Sequence, residues 1–106
     1  MPTRLTKFQE KVYSLCKKVP NGRVTTYKEI AKAMKKKAYR AVGQALRHNP
    51  FAPKVPCHRV IASDGSLGGF GGKFKSRKKI ALLRKEGIII KNYKITNFRG
   101  RLFRFF

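Results

Sequence analysis

Acidic residues are almost missing from this chain. It has 4 Asp and Glu against 27 Lys and Arg, a formal net charge of +23 over 106 residues. A compact domain with this charge repels itself, and a polyanion is the simplest partner, because Lys and Arg bound to phosphates release condensed counterions. A thermophile's Lys-rich surface would bring Glu with it, and an anionic membrane is a further alternative. The charge favours nucleic acid.

Cysteine and long apolar runs are also scarce. The two cysteines, Cys16 and Cys57, have no CxxC or Cys/His metal spacing, so we predict no zinc site and no cofactor. No run approaches the roughly 18 apolar residues of a membrane helix, and no signal peptide is recognisable. We therefore expect no membrane association and no secretion. The expected location is the cytoplasm (at the nucleoid) or the nucleus, where thiols stay reduced.

The first half of the chain has helical periodicity. Thr6 is the predicted cap of a helix that runs to about Lys18 and buries one face, and Cys16 is interpreted as part of that core. A short strand over residues 24–26 and a capping box from Thr26 to Glu29 precede a second helix. A third runs from about Ala38 to His48. Two short helices around the turn 35–37 are typical of a helix-turn-helix. The predicted class is mainly α with a few short strands, a winged helix-turn-helix-like domain.

The second half changes character after residue 53. We predict a tight turn at Asp64-Gly65, a basic helix from about Ser76 to Lys85 with Ile80, Leu82 and Leu83 inward, and a buried strand at residues 88–90. Residues 1–90 are expected to form the domain. Residues 91–106 are a basic, aromatic C-terminal extension, which either contacts nucleic acid or packs on the domain as an amphipathic cover.

Cys57 lies beside His58, a pairing that can activate a thiol because only the thiolate is nucleophilic. In an extended chain neighbouring side chains point apart, so a water could connect the two. A carboxylate could orient the imidazole. The candidate acids are Glu10, Glu29, Asp64 and Glu86. Glu29 is assigned to a cap and Asp64 to a turn, and Glu86, near the end of the last helix, is the best remaining candidate. By itself this pairing does not exclude a structural cysteine.

Five segments in order resemble the O6-alkylguanine-DNA alkyltransferases. Residues 55–61 resemble that family's active-site signature, residues 20–27 the approach to its first DNA-binding helix, and residues 40–50 its recognition helix. Residues 64–72 are similar to its substrate loop and residues 79–87 to its closing helix. The resemblance covers roughly residues 5–90, and five ordered motifs make coincidence a poor explanation.

The resemblance implies a single-turnover repair enzyme, a methylated-DNA–protein-cysteine S-methyltransferase. Cys57 would take the alkyl group from O6-alkylguanine, and a Glu86–His58–water relay would form the thiolate. Tyr27 would donate a proton to the leaving base. Asn49 would hold the turn between recognition helix and site.

The resemblance also implies that duplex DNA containing O6-alkylguanine is the partner, with the damaged base flipped out. Arg40 would be the finger that fills the vacated stack, and small residues (Ala41, Gly43 and Ala45) would let the helix approach the minor groove. Arg47 and Ser63 are plausible phosphate contacts. The base would meet the Val60 carbonyl and the substrate loop at Phe70 and Gly71; at Gly71 the family commonly has serine. Arg59 is interpreted as structural or phosphate-facing.

Typical members of the family carry an additional N-terminal domain, which we expect to be missing here, leaving a monomer. Alkyltransferase-like proteins, which bind the lesion without repairing it, are the main rival, and they usually replace the reactive cysteine with tryptophan. Cys57 argues against them. A general basic DNA-binding protein is the third alternative.

Overall fold

The computed structural model describes residues 5–48, 51, 54–67 and 77–105. Within these ranges the chain is mainly helical, as predicted, with short strands between the helices. The elements in chain order are α1 (Lys7–Cys16), β1 (Thr25–Thr26), α2 (Tyr27–Ala33), α3 (Tyr39–Arg47), a 3-10 turn (Cys57–Arg59), β2 (Val60–Ile61), α4 (Arg77–Lys85), β3 (Ile90–Lys91), β4 (Lys94–Ile95) and α5 (Phe98–Arg101).

Helix α1 begins where the sequence indicates. The Thr6 hydroxyl accepts from the Gln9 backbone N–H at 3.0 Å, and the Gln9 side chain accepts from the Thr6 N–H at 2.9 Å, so two N-terminal donors are satisfied reciprocally. The helix ends at Cys16, two residues before the predicted boundary. Cys16 is fully buried, as predicted. The Tyr13 hydroxyl donates to the Ala45 carbonyl at 2.7 Å and connects α1 to α3.

Helices α2 and α3 form the helix-turn-helix. The Thr26 hydroxyl caps α2 by accepting from the Glu29 N–H at 3.0 Å, which is one half of the predicted capping box. At the end of α2 the Lys36 N–H donates to the Ala31 carbonyl and the Lys35 N–H to the Lys32 carbonyl. This ending puts Lys35 in the left-handed region at φ 57°, where glycine is usual.

The strands connect distant parts of the chain. β1 pairs in parallel with β2, Thr25 opposite Val60. On the other side of β1, Val24 pairs with Leu102. β3 and β4 form an antiparallel hairpin, and its two turn residues, Asn92 and Tyr93, have φ of 51° and 60°, which suits the twist of a two-residue hairpin.

Two apolar clusters hold the described residues together. The first joins α1, α2 and α3 and includes Cys57 and Val60. The second lies between α4, the hairpin and β2, and its members include Leu83, Ile88 and Ile95. Segments of the 91–106 extension pack on both clusters: Ile95 is buried in the second and Phe105 packs against the first. The extension therefore behaves as a cover over these residues.

One predicted element is wrong. The buried strand over residues 88–90 is reduced to Ile90, because Ile89 is 60% exposed and only Ile88 and Ile90 face the core. The turn at Asp64-Gly65 is confirmed by the Gly65 N–H donating to the Ala62 carbonyl at 3.0 Å. No helix in the described part of the chain is long and apolar enough to cross a membrane.

Candidate active site

Cys57 lies at the start of the 3-10 turn, directly after Pro56. The Arg59 N–H donates to the Pro56 carbonyl at 2.9 Å and closes the turn. The expectation of extended chain here is therefore wrong. With three residues per turn, successive side chains diverge by about 120° instead of pointing to opposite faces. Cys57 and His58 are both buried, at 5% and 3% exposure.

Glu86, just beyond α4, is the hub of the site. Its Oε2 lies 2.8 Å from His58 Nε2 and accepts from the second Arg59 guanidinium nitrogen at 2.7 Å, while its Oε1 accepts from Arg59 Nε at 2.9 Å. Arg59 also donates to the Val19 carbonyl at 2.8 Å. The structure thus brings His58 and Glu86 together. Arg59, as interpreted, is structural: it holds the carboxylate bidentately.

The charges at this hub favour a neutral imidazole beside an ionised carboxylate. Burial lowers the pKa of His58, and the hydrogen bond from Glu86 only partly opposes this. Burial works to raise the pKa of Glu86, but hydrogen bonds from Arg59 and His58 outweigh it and leave that pKa below its ordinary value. Because a carboxylate can only accept, Nε2 carries the imidazole proton and Nδ1 keeps its lone pair.

Lys79 is a site residue that the sequence analysis missed. Its side chain is buried at 1% exposure, and Nζ donates to the Val60 carbonyl at 2.7 Å and to the Leu67 carbonyl at 2.6 Å. Burial lowers the pKa of Lys79 to about 7, although negative charge on Cys57 would raise it. A signal was present in the spacing: Lys79, Leu83 and Glu86 fall on one helical face, at i, i+4 and i+7.

Tyr27, the first residue of α2, packs against the cluster that contains Cys57, and the Lys79 ammonium lies 5.9 Å from its ring centroid. Burial, and then negative charge on Cys57, raise the pKa of Tyr27 to about 12, so its hydroxyl keeps the proton. An open cavity of about 320 Å³ adjoins this ring. Its lining is formed by Tyr27, Lys28, Tyr39, Ala62 and Ser63.

Helix α3 presents most of its predicted surface residues to solvent. Arg40, Ala41 and Arg47 are exposed, as is Ser63 beyond β2. Gly43 is half-buried and faces Tyr27: a Cβ there would lie 3.9 Å from the ring. Ala45 does not belong to this surface. It is buried at 4%, because the Tyr13 hydroxyl ties its turn of α3 to the core.

Three of the predicted site residues, Asn49, Phe70 and Gly71, lie outside the described residues. Cys16, the second cysteine, is a poor nucleophile, because burial and then the charge of Cys57 raise its pKa to about 12. Within the described ranges no three His, Cys, Asp or Glu side chains are grouped in a way that could hold a metal ion.

The fold and the site define a helix-turn-helix domain with a buried Cys-His-Glu arrangement behind it. The profile of the 6-O-methylguanine DNA methyltransferase DNA-binding domain matches residues 7–88. The chain therefore belongs to the O6-alkylguanine-DNA alkyltransferase family.

Relatives support this membership from sequence. The chain is 40% identical over 90 residues to a methylated-DNA–protein-cysteine methyltransferase of Candida glabrata, with 84% of this chain and 42% of the relative covered. It is 42% identical over 84 residues to the protein of that name in Methanosarcina barkeri, covering 78% and 53%. The chain thus spans about half the length of the curated relatives it matches.

Two solved structures differ in how much of them the chain covers. Mycobacterium tuberculosis OGT in complex with DNA has a TM-score of 0.72 and 45% identity, over 78% of this chain and 51% of that one. S. pombe Atl1, in complex with damaged DNA containing O6-carboxymethylguanine, has a TM-score of 0.80 and 30% identity, over 96% of this chain and 99% of that one. Both neighbours are bound to DNA.

Proposed function

We propose that this protein repairs alkylated DNA by transferring the alkyl group of O6-alkylguanine to Cys57, in one irreversible turnover. The observation that carries the proposal is the buried cysteine one residue from an imidazole whose Nε2 is hydrogen-bonded to Glu86. This bond leaves Nδ1 as the basic nitrogen. The same chemistry is in the names of the relatives in C. glabrata and M. barkeri.

The proposed reaction moves one proton from Cys57 and one alkyl group from the base. A water passes the Cys57 proton to Nδ1 of His58, and Glu86 stabilises the imidazolium that forms. The thiolate attacks the alkyl carbon, so the sulfur–carbon bond forms as the bond from that carbon to O6 breaks. The electron pair leaves on the guanine, and the Tyr27 hydroxyl donates a proton to the departing base. The proton on His58 then restores the tyrosine, leaving S-alkylcysteine and neutral guanine.

Lys79 is a positioning residue in this scheme. Its ammonium fixes the Val60 carbonyl, which we propose meets the exocyclic amine of the flipped base. A carbonyl oxygen has two lone pairs, so it can accept from Lys79 and from a base together. Phe70 and Gly71 complete the proposed substrate contact, and Asn49 holds the preceding turn.

We propose that α3 faces duplex DNA, with Arg40 entering the stack where the damaged base has left. Ala41 and Gly43 would allow close approach, and Arg47 and Ser63 would contact phosphates. The proposed active species is a monomer without cofactor, in the cytoplasm or nucleus, where Cys57 stays reduced. Residues 1–90 would form its catalytic unit and residues 91–106 an extension.

Lesion binding without transfer is the second candidate. The observation behind it is the likeness over nearly the whole chain to S. pombe Atl1, which is bound to damaged DNA; the names of the curated relatives favour transfer instead. Both functions would use the DNA-facing helix α3 and the cavity beside Tyr27, which we call the base pocket. They differ in whether Cys57 becomes alkylated.

The test is the intact mass after incubation with a duplex that contains one O6-methylguanine. We expect a gain of one methyl group, at most one per protein, located on Cys57. Cys57→Ser should bind the duplex with unchanged affinity and gain nothing, whereas Cys16→Ser is the matched control and should still react. An unmodified wild-type protein that binds the lesion tightly would overturn transfer and favour lesion binding.

A further inference from the structure

Arg101, the last residue of α5, bridges two segments that lie far apart in the sequence. One terminal nitrogen of its guanidinium donates to the Gly22 carbonyl at 3.1 Å, and the other donates to the Gly87 carbonyl at 3.3 Å. Gly22 lies in the loop between α1 and β1, and Gly87 directly follows Glu86. A side chain of the 91–106 extension thus contacts the backbone beside the hub of the active site.

The backbone of Arg101 is itself held in place. Its carbonyl accepts from the Val24 N–H at 2.9 Å and from Arg23 Nε at 3.1 Å. A terminal nitrogen of Arg23 donates to the Leu102 carbonyl at 2.6 Å. These bonds all connect the extension to residues 22–24, so the guanidinium of Arg101 is attached to a fixed segment of chain.

The end of α4 depends on a partner for one carbonyl. The helix ends through Gly87, which has φ 85°, and the Ile88 N–H donates back to the Leu83 carbonyl at 3.1 Å, as in a Schellman motif. This motif holds N–H groups and leaves the Gly87 carbonyl to another donor. Because glycine has more backbone freedom than any other residue, the bond from Arg101 limits motion directly after Glu86.

Two arginines hold Glu86 from different directions. Arg59 binds its carboxylate and donates to the Val19 carbonyl at 2.8 Å. Arg101 binds the next carbonyl along the chain, and the Gly22 carbonyl with it. Val19 and Gly22 both lie between α1 and β1, and a Cβ at Gly22 would lie 3.6 Å from the Glu86 carbonyl oxygen. The side chain and the backbone of Glu86 are therefore both held against this one loop.

The bond between Glu86 and His58 is 2.8 Å long, and hydrogen bonds weaken steeply as their geometry departs from the optimum. We propose that Arg101 is a positioning residue, which holds Glu86 where its carboxylate orients His58 and so links the 91–106 extension to the reactivity of Cys57. This inference rests on the proposed function for the role of Cys57. The geometry of the His58–Glu86 bond can be measured without any transfer.

The first measurement is the NMR signal of the imidazole N–H of His58. The chain has two histidines, and His48 is exposed, so with labelled histidine we expect one slowly exchanging imidazole N–H. Arg101→Met keeps the apolar stem of the side chain and removes every donor. In this variant the signal should move upfield and exchange faster with water, because the carboxylate of Glu86 is held less closely.

The second measurement is single-turnover transfer from free O6-benzylguanine over a range of concentrations. Arg101→Met should lower the maximum rate by roughly 10-fold, because a small misplacement of a catalytic group slows the chemical step. The concentration that gives half the maximum rate should not change, because Arg101 does not line the base pocket as described.

Two controls separate positioning from charge and from stability. Arg99→Met removes the same charge from an exposed position two residues earlier on α5. Thr6→Ala removes the N-cap of α1 and lowers stability away from Glu86. Both controls should keep the wild-type signal and the wild-type maximum rate.

The proposal is overturned if Arg101→Met melts cooperatively and keeps both the signal and the maximum rate of the wild type. It is also overturned if either control loses them to the same extent, or if the wild type has no protected imidazole N–H. If Arg101→Met does not fold, Arg101→Lys, which keeps the charge without the forked geometry, is judged by the same criteria. If no protein accepts the benzyl group, the proposed function fails and the signal alone decides the role of Arg101.

Discussion

The positive charges of this protein occur in two contrasting settings. Behind the base pocket, Arg59 and Lys79 are fixed by named partners: Arg59 by Glu86 and the Val19 carbonyl, Lys79 by two backbone carbonyls. Along α2 and the turn after it, five lysines stand in solvent, and no carboxylate is paired with them within the described ranges: Lys28, Lys32, Lys35, Lys36 and Lys37.

The difference shows how positively charged side chains perform two tasks. A charge buried with partners has one geometry, and removing any partner leaves a desolvated group behind, so effects are large and local. Exposed lysines keep their hydration and their freedom, so each contributes little to stability and acts mainly through long-range, salt-dependent attraction. Variants in the two settings should therefore differ in kind as well as in size.

Glu86→Ala should have the largest effect, because it leaves Arg59 and His58 without their carboxylate. We expect the free energy of unfolding to fall by about 3 kcal/mol and transfer to slow by at least about 100-fold. Denaturant titration and single-turnover kinetics measure the two losses. Glu10→Ala is the matched control, since Glu10 is exposed on α1. Similar stability losses in the two variants would contradict the role of Glu86 as the hub.

Lys79→Met should change how stability depends on pH. The folded pKa of Lys79 is about 7, well below the unfolded value, so the folded state releases this proton first. The cost of the buried ammonium is complete below pH 7 and declines as pH rises toward the unfolded pKa. Between pH 7 and 9 the wild type should gain up to about 1.4 kcal/mol per pH unit relative to the variant.

Denaturant titrations of both proteins at pH 7, 8 and 9 measure this difference. The window stops at 9 because closer to the ordinary lysine pKa the unfolded state also loses this proton, and the difference levels off. A constant difference in stability over this range would show that Lys79 does not titrate there.

Lys35→Gly should have the smallest effect on stability and the opposite sign. Glycine relieves the positive φ and should raise the free energy of unfolding by about 1 kcal/mol. Lys36→Gly is the control one residue away: it removes the Phe8 contact and adds backbone freedom, so it should lower stability by about 1 kcal/mol. Thermal melts distinguish the two. If Lys35→Gly also destabilises, the strain at residue 35 is not relieved by glycine.

Local signals in the sequence were sufficient for the first half of the fold. Thr6 and Thr26 predict where their helices begin, because an N-cap hydrogen bond involves a residue only three positions away. Glu86 could be selected because the chain offers so few acids. The helix predictions succeed because capping interactions are short-range. The prediction of Glu86 succeeds because the chain has few acidic residues to choose from.

The predictions that failed depend on tertiary contacts. Lys79 is not singled out from the sequence, because the carbonyls that accept from it belong to other segments, at Val60 and Leu67. Ile89 lies in an apolar run that is typical of a core strand, yet it is 60% exposed, because the alternation of side chains turns Ile88 and Ile90 to the core instead. The 3-10 turn at Cys57 depends on the chain direction that Pro56 and β2 impose together. The spacing of residues in the sequence does not indicate which distant segments will make these contacts.

The pairing of Val24 with Leu102 affects the order in which the parts of a newly made chain can fold. Val24 is completely buried, and its N–H donates to the Arg101 carbonyl at 2.9 Å. Helices α1 to α3 can form while the ribosome is still translating the later segments, because their contacts are local. The pairing beside β1 forms only after Leu102, near the far end of the described chain, has been synthesised. Synthesis itself thus delays completion of the second apolar cluster, to which Val24 belongs, until nearly all of that chain has emerged.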